Sequence, residues 1–114
     1  MPFSEIELKR IDKLVGGLCR KRSPDHLKDK LSIEYRVKGH DVVMFERRPY
    51  WDDPKEIIEI PVAKMKFVRT SNEWRLYWMR RDRKWHGYEM LNPGKALQRL
   101  IVEVDVDPHG CFFG

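Results

Sequence analysis

The chain has little cysteine and no long apolar run. Cys19 and Cys111 are the only cysteines among 114 residues, which excludes a disulfide-rich scaffold. A chain of this length can bury one hydrophobic core without such support. No stretch approaches the roughly 20 apolar residues of a membrane span, and Met1–Lys9 holds two acids and no apolar run. We therefore expect one domain over residues 1–114, cytoplasmic, with reduced thiols and no membrane partner.

The motifs of common enzymes and cofactor proteins are also missing. The four histidines are dispersed, at His26, His40, His86 and His109. No Cys/His spacing resembles a zinc site, and Gly16-Gly17 does not belong to a phosphate-binding loop. We therefore expect no metal and no cofactor, and we favour a non-enzymatic protein.

What the chain does have is positive charge concentrated in one place. Its formal net charge is +5, yet Ala63–His86 alone carries eight Lys or Arg against two acids, so the remainder sums to −1. Three of the four tryptophans lie in the same segment. Cations interleaved with large aromatic rings suit a polyanion whose own rings can stack, so nucleic acid is the first partner to consider.

Two segments have the apolar spacing of amphipathic helices. The first, Phe3–Arg22, begins with Ser4 and Glu7 at the spacing of a capping box. Its apolar stripe comprises Leu8, Ile11, Leu14, Val15 and Leu18. Pro93 is placed to begin the second helix, which Asp107-Pro108 ends. The core face of that second helix comprises Leu97, Leu100, Ile101 and Val104.

Between these helices, alternating polarity predicts five strands. They cover Leu31–Lys38, Asp41–Arg47, Val62–Thr70, Glu73–Arg80 and Lys84–Met90. Gly39-His40, Ser71-Asn72 and Asp82-Arg83 are the expected hairpin turns, and 49–61 is expected to be a loop with a short edge element at Glu56–Ile60. The predicted fold is α+β: a five-stranded, mostly antiparallel sheet with an N-terminal and a C-terminal helix packed on one face.

The period of two assigns the aromatics of the last hairpin to different faces. Trp74, Leu76 and Trp78 share one parity and are expected to face the core. With a two-residue turn, Tyr77 would pair with Tyr88, and Met79 with His86, on the other face. A one-residue slip would invert this assignment for the last strand.

The leading hypothesis is a DNA- or RNA-binding module that uses this cationic, aromatic hairpin. The candidate phosphate contacts are Lys64, Lys66, Arg69, Arg75, Arg81 and Lys84. The candidate stacking groups are Tyr77, His86 and Tyr88.

Three other interpretations fit the same composition. All the aromatics can belong to the core while the cations keep a sheet edge soluble. The protein can also bind a protein partner, with surface aromatics and the tail residues Phe112-Phe113 as anchors. More remotely, acidic residues can hold a metal ion in a nuclease, although their spacing matches no nuclease motif. Those acids are Glu46, Asp52, Asp53, Glu56 and Glu59.

Three segments together resemble a small bacterial family of the DUF3024 type, a domain of unknown function. They are the opening helix from Phe3-Ser4-Glu5 to Gly16-Gly17, the Trp-rich hairpin, and the closing Gly110–Gly114. The hairpin contributes Trp74-Arg75-Leu76-Tyr77-Trp78 and Lys84-Trp85-His86. The resemblance covers nearly the whole chain and implies a free-standing bacterial cytoplasmic protein. It implies no activity, cofactor or catalytic residue.

Overall fold

The computed structural model describes residues 2–23 and 31–114, so His26 and Pro24 lie outside the described residues. The helical segments are α1 (Glu5–Ile11), a π-helical segment (Asp12–Gly16), α2 (Gly17–Arg22) and α3 (Leu97–Val106). The strands are β1 (Ser32–Lys38), β2 (Asp41–Pro49), β3 (Ile57–Val68), β4 (Glu73–Met79) and β5 (Trp85–Gly87). They form one antiparallel sheet in sequence order, which confirms the predicted α+β class.

The N-terminal helix begins at the expected capping box. Ser4 Oγ accepts a hydrogen bond from the Glu7 amide at 3.2 Å, and the Ser4 amide donates to Glu7 Oε1 at 2.9 Å. Ile11, Val15, Leu18 and Cys19 are buried, whereas Leu8 is 41% exposed. Including Leu8 in the buried stripe was therefore wrong. The buried line through Ile11, Val15 and Cys19 continues back at four-residue spacing to Glu7, which contacts Arg69, and leaves Leu8 at its edge.

The core lies between the helices and one face of the sheet. Val42, Met65 and Leu76 stand opposite one another on β2, β3 and β4, and all three are buried. The α3 residues predicted for the core, Leu97, Leu100, Ile101 and Val104, are also buried in this cluster. Both helices therefore pack on the same face of the sheet, as predicted. In the described parts of the chain, no helix is long and apolar enough to cross a membrane.

The third strand is longer than the sequence indicates. β3 runs without interruption from Ile57 and pairs with β2 from Ile57 to Lys66, so the loop expected over 49–61 is confined to 50–56. The short edge element expected at Glu56–Ile60 is instead the start of this long central strand. A register shift between Met44 and Phe45 places Phe45 opposite Pro61. Because proline has no amide hydrogen to donate, an irregular position is where a strand tolerates it.

The last hairpin differs from its predicted register by one residue. Its loop has three residues, because the Arg80 amide donates to the Lys84 carbonyl and Arg83 adopts a positive φ of 62°. Consequently Trp78 pairs with His86, and Met79 with Trp85. The expected pairs of Tyr77 with Tyr88 and Met79 with His86 were wrong, and the regular part of β5 is only Trp85–Gly87.

The final helix begins four residues later than expected, at Leu97 rather than Pro93. Gly94 exchanges backbone hydrogen bonds with Trp74 at 2.7 and 3.2 Å, which holds Pro93 and Gly94 in extended backbone beside β4. After the helix, both carboxylate oxygens of Asp107 accept hydrogen bonds from the amides of Phe112 and Phe113. The tail is therefore folded back onto the domain, with Phe112 buried against Tyr88.

Candidate nucleic-acid interface

Four of the predicted binding residues lie together on the face of the sheet opposite the helices. On β3 and β4, Lys64 pairs with Tyr77, and Lys66 with Arg75. The intervening pair, Met65 and Leu76, points into the core. Because side chains alternate along a strand, Lys64, Lys66, Arg75 and Tyr77 share the other face. We call these four residues the open-face patch.

The open-face patch places like charges directly opposite each other. Lys66 and Arg75 are exposed cross-strand partners, and neither side chain has an ion pair or hydrogen bond within residues 2–23 and 31–114. Two acids share this face: Asp41 on β2, which is the other cross-strand partner of Lys66 and has its Oδ2 3.8 Å from Lys64 Nζ, and Glu73, two residues before Arg75 on β4. Two carboxylates do not balance the three cations, so the patch keeps a net positive charge.

Aromatic rings lie beside these cations. Lys64 Nζ is 5.5 Å from the centroid of the Tyr77 ring, within the range of a cation–π contact. Trp85 pairs with Met79 and so lies diagonally across from Tyr77 on the same face, and both rings are partly exposed. The stacking residues predicted from the sequence did not include Trp85, because the predicted register of the last hairpin was wrong by one residue.

Two further predicted cations, Arg81 and Lys84, lie at the β4–β5 turn next to this face. Both are exposed, and their side chains have no ion-pair partner in the part of the chain that the structure describes. The acid of the turn, Asp82, is hydrogen-bonded to His86 Nε2 at 2.8 Å, and this contact lowers the pKa of Asp82. His86 itself pairs with Trp78 on the helix side and is not part of the open-face patch.

Arg69, also predicted to contact phosphate, is already occupied. Its Nη1 and Nη2 donate to the two carboxylate oxygens of Glu7 at 3.1 and 2.9 Å, and Nη2 also donates to the Pro2 carbonyl at 3.0 Å. The Arg69 guanidinium, with help from the Ser4 amide, lowers the pKa of Glu7 to about 2. The pair ties the first turn of α1 to the end of β3.

Tyr88, predicted to stack on a base, is a core residue. Only 4% of it is exposed, and its hydroxyl donates a 2.5 Å hydrogen bond to Glu103 on α3. Burial, with this hydrogen bond, raises the pKa of the Tyr88 hydroxyl. Tyr88 therefore connects the end of the sheet to α3 and offers no ring face to a ligand.

The acids considered for a metal site are partly held by other groups. Glu46 pairs with Arg48 at 3.5 Å, Glu59 pairs with Arg36 at 2.8 Å, and Asp53 Oδ1 accepts a hydrogen bond from the Lys55 amide. In the two described ranges, no group of three His, Cys, Asp or Glu side chains is arranged to hold a metal ion.

Fold and site together define a small α+β protein whose helices cover one face of its sheet and whose other face carries a cationic, aromatic patch. The chain belongs to the family described as Domain of unknown function (DUF3024), whose family model matches residues 3–114. This confirms the resemblance seen in the sequence. No curated protein and no solved structure matches the chain.

Proposed function

We propose that this protein is a non-enzymatic nucleic-acid-binding module and that the open-face patch is its binding surface. The observation that carries the proposal is that Lys66 and Arg75 are cross-strand neighbours on the sheet face without helices, and that neither side chain has an ion-pair or hydrogen-bond partner among the residues that the structure describes. Like charges opposite each other destabilise an antiparallel pair. A phosphate bound between the two side chains would relieve that repulsion.

The proposed surface is narrower than the sequence alone indicated. It comprises the open-face patch, Trp85 beside it, and the turn cations Arg81 and Lys84. Arg69 is excluded because Glu7 occupies its guanidinium. His86 and Tyr88 are excluded because they lie on the helix side or in the core.

The same charges argue against a second copy of the chain on this face. An interface between two identical faces would bring one positively charged patch against another, which costs electrostatic energy. Nucleic acid supplies the opposite charge at regular intervals and releases counterions when it binds.

Fluorescence anisotropy with labelled DNA and RNA tests the proposal directly. We expect binding that weakens steeply as salt rises. In the Lys66→Ala/Arg75→Ala double variant, losing two phosphate contacts should reduce the slope of log affinity against log salt by about 1.4 to 1.8.

A matched control removes the same charge elsewhere. Lys9 and Lys13 are exposed on the N-terminal helix, away from the open face, so Lys9→Ala/Lys13→Ala also loses two positive charges. This control should retain the affinity and the slope of the wild type. Absence of binding by the wild type at low salt, or equal losses in both double variants, would refute the proposed site.

A protein partner is the second candidate function. Trp51 is 83% exposed and Ile57 46% exposed, both at the end of the β2–β3 hairpin. Exposed tryptophans are frequent anchors of protein interfaces. The expected tail anchor Phe112 is instead buried, and Arg22 covers the Phe113 ring at 4.1 Å. An interaction through Trp51 would vary little with salt, which separates it from nucleic-acid binding.

A further inference from the structure

Resting on the proposed function, we infer that the open face of the sheet binds single-stranded rather than double-stranded nucleic acid. Tyr77 and Trp85 are the stacking platforms, and Lys66 and Arg75 are the phosphate contacts. DNA and RNA single strands present the same combination of unpaired bases and phosphates. The reasons are the shape of the face, the placement of the rings, and the position of the charges relative to them.

The shape of this face does not match a duplex groove. Its four cationic and aromatic positions lie on β3 and β4, in the middle and towards one edge of a five-stranded sheet. Five strands spaced about 4.8 Å apart span about 19 Å. The major groove of B-DNA is about 12 Å wide and admits a helix or a two-stranded ribbon. A duplex resting on the face would therefore present its backbone to the rings.

The two rings are placed for unpaired bases. Tyr77 pairs with Gly87 and Met79 with Trp85, so Tyr77 and Trp85 occupy diagonal positions on neighbouring strands. Diagonal neighbours lie about 7–8 Å apart, near enough for consecutive bases of an extended strand to reach both rings. Gly87 has no side chain, which leaves the space beside Tyr77 open. A duplex keeps its bases stacked inside and cannot use these rings without melting.

Cations lie on both sides of the rings, with Lys66 and Arg75 on one side and the turn cations Arg81 and Lys84 on the other. Lys66 and Arg75 lie one row further along the same face than Lys64 and Tyr77. A strand that stacks a base on Tyr77 therefore has its backbone next to that charged row. The Lys64 ammonium, 5.5 Å from the Tyr77 ring, adds a charge beside the stacked base. This combination of a charged track and stacking rings is common to proteins that bind single strands without sequence preference.

The test compares single strands with their duplexes on the intact wild-type chain. Labelled oligonucleotides of about 12 residues fit within the usual site sizes of about 4 to 16. The probes are a mixed-sequence DNA strand, the same sequence as RNA, and the DNA and RNA duplexes. We expect one or both single strands to bind at least about tenfold more tightly than the matching duplex.

Ring variants test the stacking residues themselves. Tyr77→Leu and Trp85→Leu should each weaken single-strand binding by roughly 5- to 150-fold, the cost of one lost base stack. Tyr77→Phe keeps the ring and should stay within about twofold of the wild type. Circular dichroism and thermal melting identify any variant that fails to fold, and the wild-type comparison needs no variant.

These experiments distinguish a failure of the single-strand inference from a failure of the proposed function. If the duplexes bind as tightly as the single strands, or if the folded leucine variants bind like the wild type, the single-strand inference is wrong while the proposed function stands. If no probe binds at low salt, the proposed function is wrong and the inference falls with it.

Discussion

The two faces of the β3–β4 pair differ in burial and charge, although their residues alternate along the same two strands. On the helix side, Met65 and Leu76 are opposite each other and buried in the core. On the other side, the neighbouring pair Lys66 and Arg75 is exposed and places two positive charges opposite each other. The helix-side pair stabilises the fold, whereas a pair of like charges opposite each other is expected to destabilise it. Such a destabilising pair is expected where a surface is kept for a ligand.

The cations of this hairpin divide in the same way. Arg69 forms a two-pronged ion pair with Glu7 and has a structural role. Lys66, Arg75, Arg81 and Lys84 have no such partner in residues 2–23 and 31–114. A cluster of positive charge in a sequence can therefore contain both structural cations, which form ion pairs, and cations that remain available to a ligand. Only contacts with residues far away in the sequence distinguish the two kinds.

The largest expected effect is on the helix side. Leu100 is 1% exposed in the core, so Leu100→Ala should lower the free energy of unfolding by about 2–5 kcal/mol. Lys66→Ala on the open face should change it by no more than about 0.5 kcal/mol. Urea denaturation of both variants makes the comparison, and similar losses in the two would contradict the contrast between the faces.

An intermediate effect is expected in acid at the Glu7–Arg69 pair. The pKa of Glu7 is lowered from 4.5 to about 2, so this carboxylate stabilises the folded state above its unfolded pKa. That stabilisation is lost as the pH falls from about 4.5 towards 2. Glu7→Gln keeps an acceptor for the Ser4 amide but removes the charge. Its thermal stability should therefore fall less steeply over this pH range, and profiles parallel to the wild type would contradict the assignment.

The smallest expected effect has the opposite sign. Arg75→Thr removes one charge from the repulsive Lys66–Arg75 couple and places a β-branched residue on a strand. We expect a gain of about 0.2–1 kcal/mol at low salt that shrinks as salt rises. Loss of stability at low salt would show that the two cations do not repel each other as described.

Patterns with a short period predicted most of the fold. The alternation in β4 placed Leu76 and Trp74 in the core correctly, and the helical spacing did the same for Leu97 and Leu100. Both kinds of pattern depend only on near neighbours in the chain.

Features that depend on distant backbone contacts were predicted less well. Hydrogen bonds between Trp74 and Gly94 keep Pro93 out of α3, and only the folded chain brings those two residues together. The positive φ of Arg83 belongs to a three-residue loop, and the sequence has no glycine or asparagine at that position to predict it. That single extra residue moved His86 to the helix side and placed Trp85 on the open face.

Only part of the candidate site could therefore be predicted from the sequence. Lys64, Lys66, Arg75 and Tyr77 followed from the period of two within β3 and β4. The role of Arg69 depends on Glu7, which is 62 positions away in the sequence, so local charge could not reveal it. Trp85 required the correct register of the last hairpin.

The most direct test of the open-face interface is a titration with a single-stranded oligonucleotide, followed by the indole N–H signals of the four tryptophans in NMR spectra. Trp85 lies on the proposed surface, Trp74 is buried beneath the helices, and Trp51 marks the end of the β2–β3 hairpin. Trp→Phe variants assign the signals. We predict that the Trp85 signal shifts progressively while those of Trp74 and Trp51 stay in place. An unchanged Trp85 signal with a shift at Trp51 would contradict binding by the open face.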